Sequence, residues 1–247
     1  MQIVKIIFGN LWRWWFFLVG ICLFLLWYPV LYILLSNPKY FHIGFRLMRF
    51  NANLLFVLSG IRKKISFTVP LDKKKTYVFC INHSSYLDIA TSYVAINHYF
   101  HIMGKAELTA IPLFNIFFKK MNIPVNRNSM KESHGSYKRA NHDLQKNISI
   151  VIFPEGTIPV HTPELGNFKN GAFRLALENK VDIVPVIFLD NHQLMPDNRT
   201  MRKFGGRPGL CRIHFEAPVS SSHLQNSDVS QLRQHTFNAI NKHLTHK

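Results

Sequence analysis

Acidic residues are scarce in this chain of 247 residues, where 13 Asp and Glu stand against 30 Lys and Arg. The formal net charge of +17 says little about the fold, but it favours anionic partners such as lipid surfaces, nucleic acid or acidic small molecules. The chain is also 47% hydrophobic, with 21 Phe, which is unusual for a nucleic-acid binder. A membrane partner accounts for both features, so we expect membrane lipids and no nucleic acid.

Cysteine is scarce as well, and the three present are Cys22, Cys80 and Cys211. They are widely spaced within apolar runs, so they form neither a disulfide framework nor a CxxC metal pattern, and they indicate a reducing compartment. The 13 histidines lie mostly in polar stretches, and no HExxH or similar cluster occurs. We therefore expect no metal in the reaction.

The first quarter of the chain contains long hydrophobic runs. Residues 14–36 carry no charge, and as a helix they would be about as long as a bilayer core is thick. Residues 40–61 are also mostly apolar, with a polar stripe of His42, Arg46, Arg49 and Asn53 that we expect to face lipid phosphates. Ser36, Asn37 and Pro38 between them predict the turn of a helical hairpin. The hairpin either enters one leaflet or spans the bilayer, and an ordinary buried core helix is the third alternative.

We expect two units: residues 1–62 as a membrane-embedded or interfacial helical hairpin, and residues 63–247 as the body. Lys63 and Lys64, and then the Lys73 to Lys75 run, follow the hairpin directly. Because positive charge collects on the cytoplasmic side of membrane segments, the body is expected on the cytoplasmic side of the cell membrane.

Short apolar strands alternate with helical patterns in the body of the chain. The predicted strands are residues 77–81, 100–104, 148–153, 183–188 and 210–215, and the predicted helices are residues 85–96, 107–120, 168–179 and 229–244. This alternation is typical of an α/β fold, here a mixed central sheet flanked by helices.

The stretch NHSSYLDI follows the first predicted strand and contains His83 and Asp88. If the histidine precedes the helix and the aspartate lies in its first turns, the carboxylate accepts the Nδ1 proton and leaves Nε2 as a general base. This is two thirds of a Ser-His-Asp triad, and the missing hydroxyl then belongs to the substrate. The alternative is a packed histidine and a helix-start aspartate.

Two other strand ends carry polar groups that could bind a ligand. FPEGT places Glu155, Gly156 and Thr157 after the strand at residues 148–153, and the Gly156 amide could face a developing oxyanion. GKAELTAIP holds Lys105 and IPVNRN holds Arg127, either of which could bind an anionic head group. Taken singly, each is more typical of a solvated surface residue than of a ligand-binding one.

In this order the blocks resemble the glycerolipid acyltransferase family with the H-x4-D motif, and most closely the bacterial lysophosphatidic acid acyltransferases. NHSSYLD, GKAELTAIP with IPVNR, FPEGT and IVPV at residues 183–186 carry the resemblance, which covers roughly residues 75 to 190. It implies phospholipid biosynthesis at a membrane, by transfer of an acyl group from acyl carrier protein or coenzyme A to a lysophospholipid hydroxyl, without a further cofactor. It also implies that His83 is the base and Asp88 orients it, and that Lys105, Arg127, Glu155, Gly156 and Thr157 bind the acceptor.

The sequence departs from the family pattern after FPEGT, where many members have an arginine that is thought to hold the acceptor phosphate. Ile158 and Pro159 stand there instead. Lys105, Arg127 or Lys169 then become the candidate cations for lysophosphatidic acid. The other acceptors that fit are lyso-ornithine or lyso-glycine lipids.

Two other functional classes compete with an acyltransferase: a metal hydrolase, and a non-enzymatic basic protein that binds membranes. An acyltransferase of this kind uses no metal in its reaction. Exhaustive chelation should therefore leave the initial rate of acyl transfer unchanged at a temperature where the chain stays folded. Loss of that rate on chelation, and its return with a divalent ion, would favour the hydrolase class.

Overall fold

The computed structural model describes residues 2–113, 115–126, 129–197, 205–221, 223–224 and 228–245; the predicted site residue Arg127 lies outside them. Within these residues, seven strands form one sheet in the order β1-β7-β6-β2-β5-β3-β4. They are β1 (Ile61–Phe67), β2 (Val78–Ile81), β3 (Phe100–Lys105), β4 (Ile123–Val125), β5 (Ser149–Ile152), β6 (Ile183–Phe188) and β7 (Gly209–Phe215).

The sheet is mixed. β6, β2, β5, β3 and β4 run parallel to one another, β7 is antiparallel to β6, and β1 is parallel to β7. The carboxyl ends of β2, β3, β5 and β6 therefore meet at one edge. Together with the flanking helices, this confirms the predicted fold class and places the polar blocks of the sequence at a common edge.

Helices cover both faces of the sheet: α1 (Gln2–Ser36), α2 (Phe41–Leu58), α3 (Asp88–Ala95), α4 (Met130–Gln145), α5 (Gly171–Asn179), the short α6 (Asn191–Leu194) and α7 (Val229–Thr245). In β2, Phe79 and Ile81 belong to the core on the α1, α2 and α3 side, whereas Val78 and Cys80 belong to the core with α4, α5 and α7. Successive side chains of a strand point to opposite faces, so a strand covered on both sides reads as a continuous apolar run.

The amino-terminal hairpin is present as predicted, with a short 3-10 helix at Pro38–Tyr40 between α1 and α2. Asn37 begins this turn, because its side-chain oxygen accepts a hydrogen bond from Lys39 N at 3.0 Å. Pro29 lies within α1 and does not end it. Among the described residues, Val4–Ser36 is the one helical segment long and apolar enough to cross a membrane by length and composition.

α1 packs against the rest of the chain along one face and exposes large apolar side chains on the other. Phe16, Leu23, Leu31 and Leu35 are buried at intervals of one or two turns, and the exposed side chains include Leu11, Trp14, Leu18, Leu25 and Ile33. Trp12 and Trp15 donate their indole N–H groups to Ser59 O (2.9 Å) and Leu58 O (3.0 Å), two carbonyls at the end of α2. The two helices are therefore held to each other and to the start of the sheet.

The polar stripe of α2 lies partly against the body of the protein, which differs from the expectation that it faces lipid phosphates. Arg49 donates to Asn97 Oδ1 at 2.9 Å, and the His42 ring packs on Tyr99 with centroids 3.9 Å apart. Asn53 accepts a hydrogen bond from Lys63 Nζ at 2.5 Å. The cause is a contact between distant parts of the chain, because the segment between α3 and β3 passes beside this face of α2.

Several elements differ from the sequence prediction. The predicted helix at residues 107–120 is broken into a 3-10 helix at Ala106–Ala110 and a π-helical turn at Phe117–Met121, because Pro112 lacks an amide donor and Leu113 adopts a φ of 64°. β1, β4 and α4 were not predicted. β1 lies at the sheet edge and carries three successive charged residues at positions 62–64, and it straddles the predicted unit boundary at residues 62 and 63.

Candidate active site

The first polar block leaves the centre of the sheet, because β2 lies between β6 and β5. Asn82 follows β2 directly and bridges to β6, with its Oδ1 accepting from Phe188 N at 2.8 Å and its Nδ2 donating to Phe188 O at 3.2 Å. This pair of hydrogen bonds continues the sheet pairing one residue further through a side chain. The next residue, His83, therefore starts from a fixed backbone position.

The structure brings His83 and Asp88 together. His83 Nδ1 lies 2.7 Å from Asp88 Oδ2, the histidine in the loop and the aspartate in the first turn of α3. The His83 side chain is 21% exposed and that of Asp88 is 0% exposed. The imidazole also stacks on the Phe153 ring, with centroids 4.4 Å apart and an angle of 26° between the planes. The ring is held on two sides and remains accessible.

Asp88 accepts hydrogen bonds from three further donors. Ser84 N and Ser85 N lie 2.7 and 2.9 Å from Oδ2, and Asn191 Nδ2 lies 2.8 Å from Oδ1. A buried carboxylate needs such donors, because leaving it without them costs several kcal/mol or more. A carboxylate oxygen opposite Nδ1 also assigns the hydrogen to Nδ1, which leaves the lone pair on Nε2.

Asn191 is a member of this cluster that sequence reasoning missed. Its Nδ2 also donates to Thr91 Oγ1 at 2.9 Å, and its Oδ1 accepts from Cys211 Sγ at 3.1 Å. Burial raises the pKa of the Cys211 thiol to about 12, so this donor keeps its proton. Asn191 lies 103 residues from Asp88 in the chain, and no local pattern marks it.

Glu155 connects the first and third blocks. Its Oε1 accepts from His83 N and its Oε2 from Gly166 N, both at 2.7 Å. This differs from the expectation that Glu155 binds the acceptor, because both of its oxygens are engaged with backbone amides of the protein. Burial is the main cause that raises the pKa of Glu155 to about 7, and the nearby Asp88 adds to it, whereas the two amide hydrogen bonds oppose the rise.

Gly156 and Thr157 complete the turn after β5. Gly156 has a φ of 78°, a left-handed conformation that glycine adopts without strain, and its N–H donates to Phe153 O at 2.9 Å. This amide is used within the turn, which differs from the expectation that it binds an oxyanion. Thr157 is exposed, and Lys169 lies close by through its backbone, since its N–H donates to Pro154 O at 2.9 Å.

Of the predicted cations, the structure describes Lys105 and Lys169, and neither contacts His83. Lys105 ends β3, and its Nζ pairs with Glu107 Oε1 at 3.0 Å on the surface. β3 is two strands from β2, which is about 10 Å at ordinary strand spacing. The Lys169 side chain is exposed. Ile158 is only 6% exposed, so an apolar side chain is buried where an arginine is frequent.

Among the described residues, no serine, threonine or cysteine side chain forms a hydrogen bond with the His83 imidazole, whose side-chain partner is Asp88. Ser85 is close in sequence, but its hydroxyl donates to Met195 O at 2.5 Å and accepts from Leu87 N at 3.0 Å. These bonds give that hydroxyl a structural role. The pair of His83 and Asp88 is therefore suited to remove a proton from a hydroxyl that a ligand brings to the exposed imidazole.

Comparison with known proteins relates this chain to acyltransferases. A family model described as acyltransferase matches residues 62–189, just over half of the chain, and this range holds every predicted site residue. A 1-acyl-sn-glycerol-3-phosphate acyltransferase of Escherichia coli is 28% identical over 70% of this chain and 69% of its own length. The chloroplastic enzyme LPAT1 of Arabidopsis thaliana, named for the same activity, is 32% identical over 48% of this chain, which covers 33% of that protein.

Among solved structures, the 1-acyl-sn-glycerophosphate acyltransferase PlsC of Thermotoga maritima superimposes with a TM-score of 0.72. The match covers 96% of this chain and 97% of that chain, at 15% sequence identity. At this identity the comparison supports the fold, including the amino-terminal hairpin and the mixed sheet.

The raised pKa of Glu155 predicts a pH-dependent stability. The folded state favours the protonated carboxyl, so its contribution is complete below pH 4.5 and is lost as the pH rises through about 7. The glutamine side chain of Glu155→Gln is uncharged at every pH, so this variant does not show this loss of stability as the pH rises through about 7. The stability of the natural chain relative to Glu155→Gln should fall by roughly 3 kcal/mol or less between pH 4.5 and 8, as measured by unfolding in detergent.

Glu155→Gln also loses one amide hydrogen bond at every pH, because its own NH₂ faces a backbone donor. Only the pH-dependent part of the difference therefore tests the prediction. Glu164→Gln, at an exposed position in the same loop, is the matched control and should show no such difference. A difference between natural chain and Glu155→Gln that stays constant with pH would contradict the prediction.

Proposed function

The chain belongs to the acyltransferase family, and we propose that it transfers a fatty acyl group from an acyl thioester to the free hydroxyl of a lysophospholipid. The acceptor we propose is lysophosphatidic acid, with phosphatidic acid as the product. The observation that carries the proposal is the 2.7 Å contact between a fully buried Asp88 and an accessible His83 at the carboxyl edge of the sheet. The names of the E. coli and Arabidopsis relatives support the choice of acceptor.

In the proposed reaction, His83 Nε2 takes the proton from the acceptor hydroxyl while the oxygen attacks the thioester carbonyl carbon. Asp88 keeps the Nδ1 hydrogen in place and stabilises the imidazolium that forms. The tetrahedral intermediate then collapses, the C–S bond breaks, and the leaving thiolate receives the proton from His83. An ester and a free thiol result, and the imidazole is neutral again.

Binding of the acceptor head group is assigned to the cations around this edge. Lys105 and Lys169 are exposed at the ends of β3 and of the loop after β5, and Arg127 follows β4 in sequence. We propose that these cations bind the phosphate, with Thr157 as a hydroxyl donor beside them. The chain's excess of positive charge also suits either acyl donor, acyl carrier protein or the phosphates of coenzyme A.

Ile158 favours a second candidate acceptor within the same reaction. This side chain is apolar and buried, so it provides no guanidinium for a phosphate monoester. A lysolipid with an amino-acid head group, such as lyso-ornithine or lyso-glycine lipid, needs no such group. We retain this as the alternative acceptor class.

We propose that the hairpin of residues 1–62 attaches the protein to the cell membrane by entering one leaflet, with the body of residues 63–247 on the cytoplasmic side. α1 exposes large apolar side chains over most of its length and packs against α2 and the body on its other face. A helix held to the body in this way is better suited to lie in the interface than to leave the body and cross. Lys63 and Lys64 follow the hairpin on the proposed cytoplasmic side.

Replacement of the proposed base is the first test. His83→Ala should lower the rate of acyl transfer by roughly 10²- to 10⁴-fold, because the acceptor hydroxyl then loses its general base. Asp88→Asn should also lower the rate, because an amide at this position no longer fixes the tautomer of His83. The measurement is release of free thiol from a labelled acyl thioester in mixed micelles.

The matched control for these variants is His161→Ala, an exposed histidine in the loop that follows FPEGT. It should transfer acyl groups at the natural rate. Membrane binding and folding of all three variants are measured in parallel. Full activity of a folded His83→Ala protein would show that the base has been misassigned.

A panel of acceptors tests the substrate. The purified chain receives lysophosphatidic acid, lysophosphatidylglycerol, lyso-ornithine lipid and lyso-glycine lipid with a labelled thioester, and mass spectrometry identifies the product. We expect phosphatidic acid as the main product. If a diacyl amino-acid lipid dominates, the alternative acceptor class is correct, and if none of the lysolipids reacts, the proposed function is wrong.

A further inference from the structure

We propose that His214, Glu216 and His243 form a binding site for one zinc ion on the face of the sheet that α7 covers. Ile213 and Phe215 of β7 belong to the core on the α3 side, so His214 and Glu216, which alternate with them, point to the opposite face. Asp88, the partner of His83, lies on α3. The site is thus remote from the candidate active site. The proposal does not rest on the proposed acyl transfer.

Two elements supply the three ligands. His214 lies on β7 and Glu216 follows the strand, so their side chains leave the same face two residues apart. His243 lies in the last turn of α7, which packs near the β6 side of the sheet. One ligand atom from each of the three residues lies within 4.8 Å of the other two.

The chemistry and spacing suit zinc. Imidazole nitrogens and a carboxylate oxygen are ordinary zinc ligands, and tetrahedral bonds near 2.1 Å separate ligand atoms by about 3.4 Å. His214 Nε2 already lies 3.4 Å from Glu216 Oε1, and His243 Nε2 lies 2.5 Å from the same oxygen. Opening the second distance by about 1 Å leaves room for the ion, with a water molecule as the fourth ligand.

Ser66, on the neighbouring strand β1, fixes the orientation of the His214 ring for zinc binding. Ser66 Oγ lies 2.9 Å from His214 Nδ1 and 3.4 Å from Ile213 O. When the serine hydroxyl donates to that carbonyl, its oxygen accepts the Nδ1 hydrogen, and the lone pair of the imidazole is left on Nε2, which faces Glu216. Metal-binding histidines characteristically have a hydrogen-bond acceptor at the second ring nitrogen.

Two groups compete with the ion in the metal-free chain. Thr68 Oγ1 lies 3.1 Å from His214 Nε2, and Lys242 Nζ lies 2.9 Å from Glu216 Oε1. The Lys242 side chain is 52% exposed, so its ammonium group can move into solvent when the ion binds. Because the lysine repels a cation and occupies a ligand atom, its removal should strengthen the site. A network with no metal function predicts no such gain.

The ligands are accessible from solvent. Glu216 and Lys242 line an open groove of about 1150 Å³ between the segment after β7 and α7, and His223 and His235 line the same groove. An ion can therefore enter without unfolding of the chain. Once bound, it would connect β7 directly to the carboxyl-terminal helix, so the expected effect is on stability and not on the reaction at His83.

The experiment measures zinc binding by the full chain, purified in detergent without a histidine tag. Equilibrium dialysis should give one more bound zinc ion per chain for the natural protein than for His243→Ala. Zinc should raise the melting temperature of the natural protein and not that of His243→Ala. Lys242→Met should bind zinc several-fold more tightly, and Ser66→Ala roughly 10-fold more weakly.

Controls separate this site from the general affinity of a histidine-rich chain for zinc. His223→Ala and His235→Ala remove groove histidines outside the three ligands and should bind zinc as the natural protein does. Glu216→Gln keeps the size of the side chain and should lose the site, so the outcome does not depend on one alanine variant. Acyl transfer at His83 reports that every variant is folded.

Equal zinc binding by the natural protein, His243→Ala and Glu216→Gln would overturn the proposal. So would a melting temperature that zinc leaves unchanged in the natural protein. Failure of the proposed acyl transfer would leave these measurements intact, because folding is then checked by circular dichroism. The two proposals can therefore fail separately.

Discussion

The buried carboxylate of Asp88 is the group on which the arrangement of the site depends. It accepts hydrogen bonds from the imidazole of His83, from two backbone amides of the same loop and from the side chain of Asn191. A carboxylate without solvent is tolerated only when such donors surround it. The loop after β2, the start of α3 and the short α6 must therefore keep one relative arrangement. The same hydrogen bonds leave Nε2 of the accessible imidazole as the free basic nitrogen.

Glu155 is a second buried carboxylate, and it connects the loop of His83 to the loop after β5. Its two oxygens each accept one backbone amide, one from either loop. The two acids have different consequences: Asp88 orients a side chain that can take part in chemistry, whereas Glu155 fixes the backbone beneath that side chain. Both depend on the parallel order of β2 and β5, which brings two loops distant in sequence to one edge.

The mixed sheet places the family motifs, the apolar hairpin and the proposed metal ligands in different parts of the molecule. Its parallel part gathers the family motifs at one edge, and β7 directs His214 and Glu216 to the face of the sheet that α7 covers. The apolar hairpin covers one face of the sheet, and the indoles of Trp12 and Trp15 fix its first helix to the end of its second. The proposed lipid contact, the candidate active site and the proposed metal site therefore occupy three different regions of one small structure.

By itself, the sequence determined most of the classes of element and the pairing of His83 with Asp88. The apolar runs at β2, β5 and β6 predicted buried strands because both faces of a central strand are covered, and the spacing of His83 and Asp88 predicted their contact because one residue precedes the helix and the other begins it. The hairpin followed from the length of uncharged sequence and from Asn37 and Pro38.

Tertiary structure decided what each polar group contacts. Asn191 joins Asp88 across 103 residues, Glu155 contacts two backbone amides, and part of the polar stripe of α2 lies against the body. β1 was missed because a charged edge strand has only a weak apolar pattern, and its partner β7 lies far along the chain. Local patterns fix the backbone of each segment, but the partner of a buried polar group depends on which distant segments the sheet order places beside it.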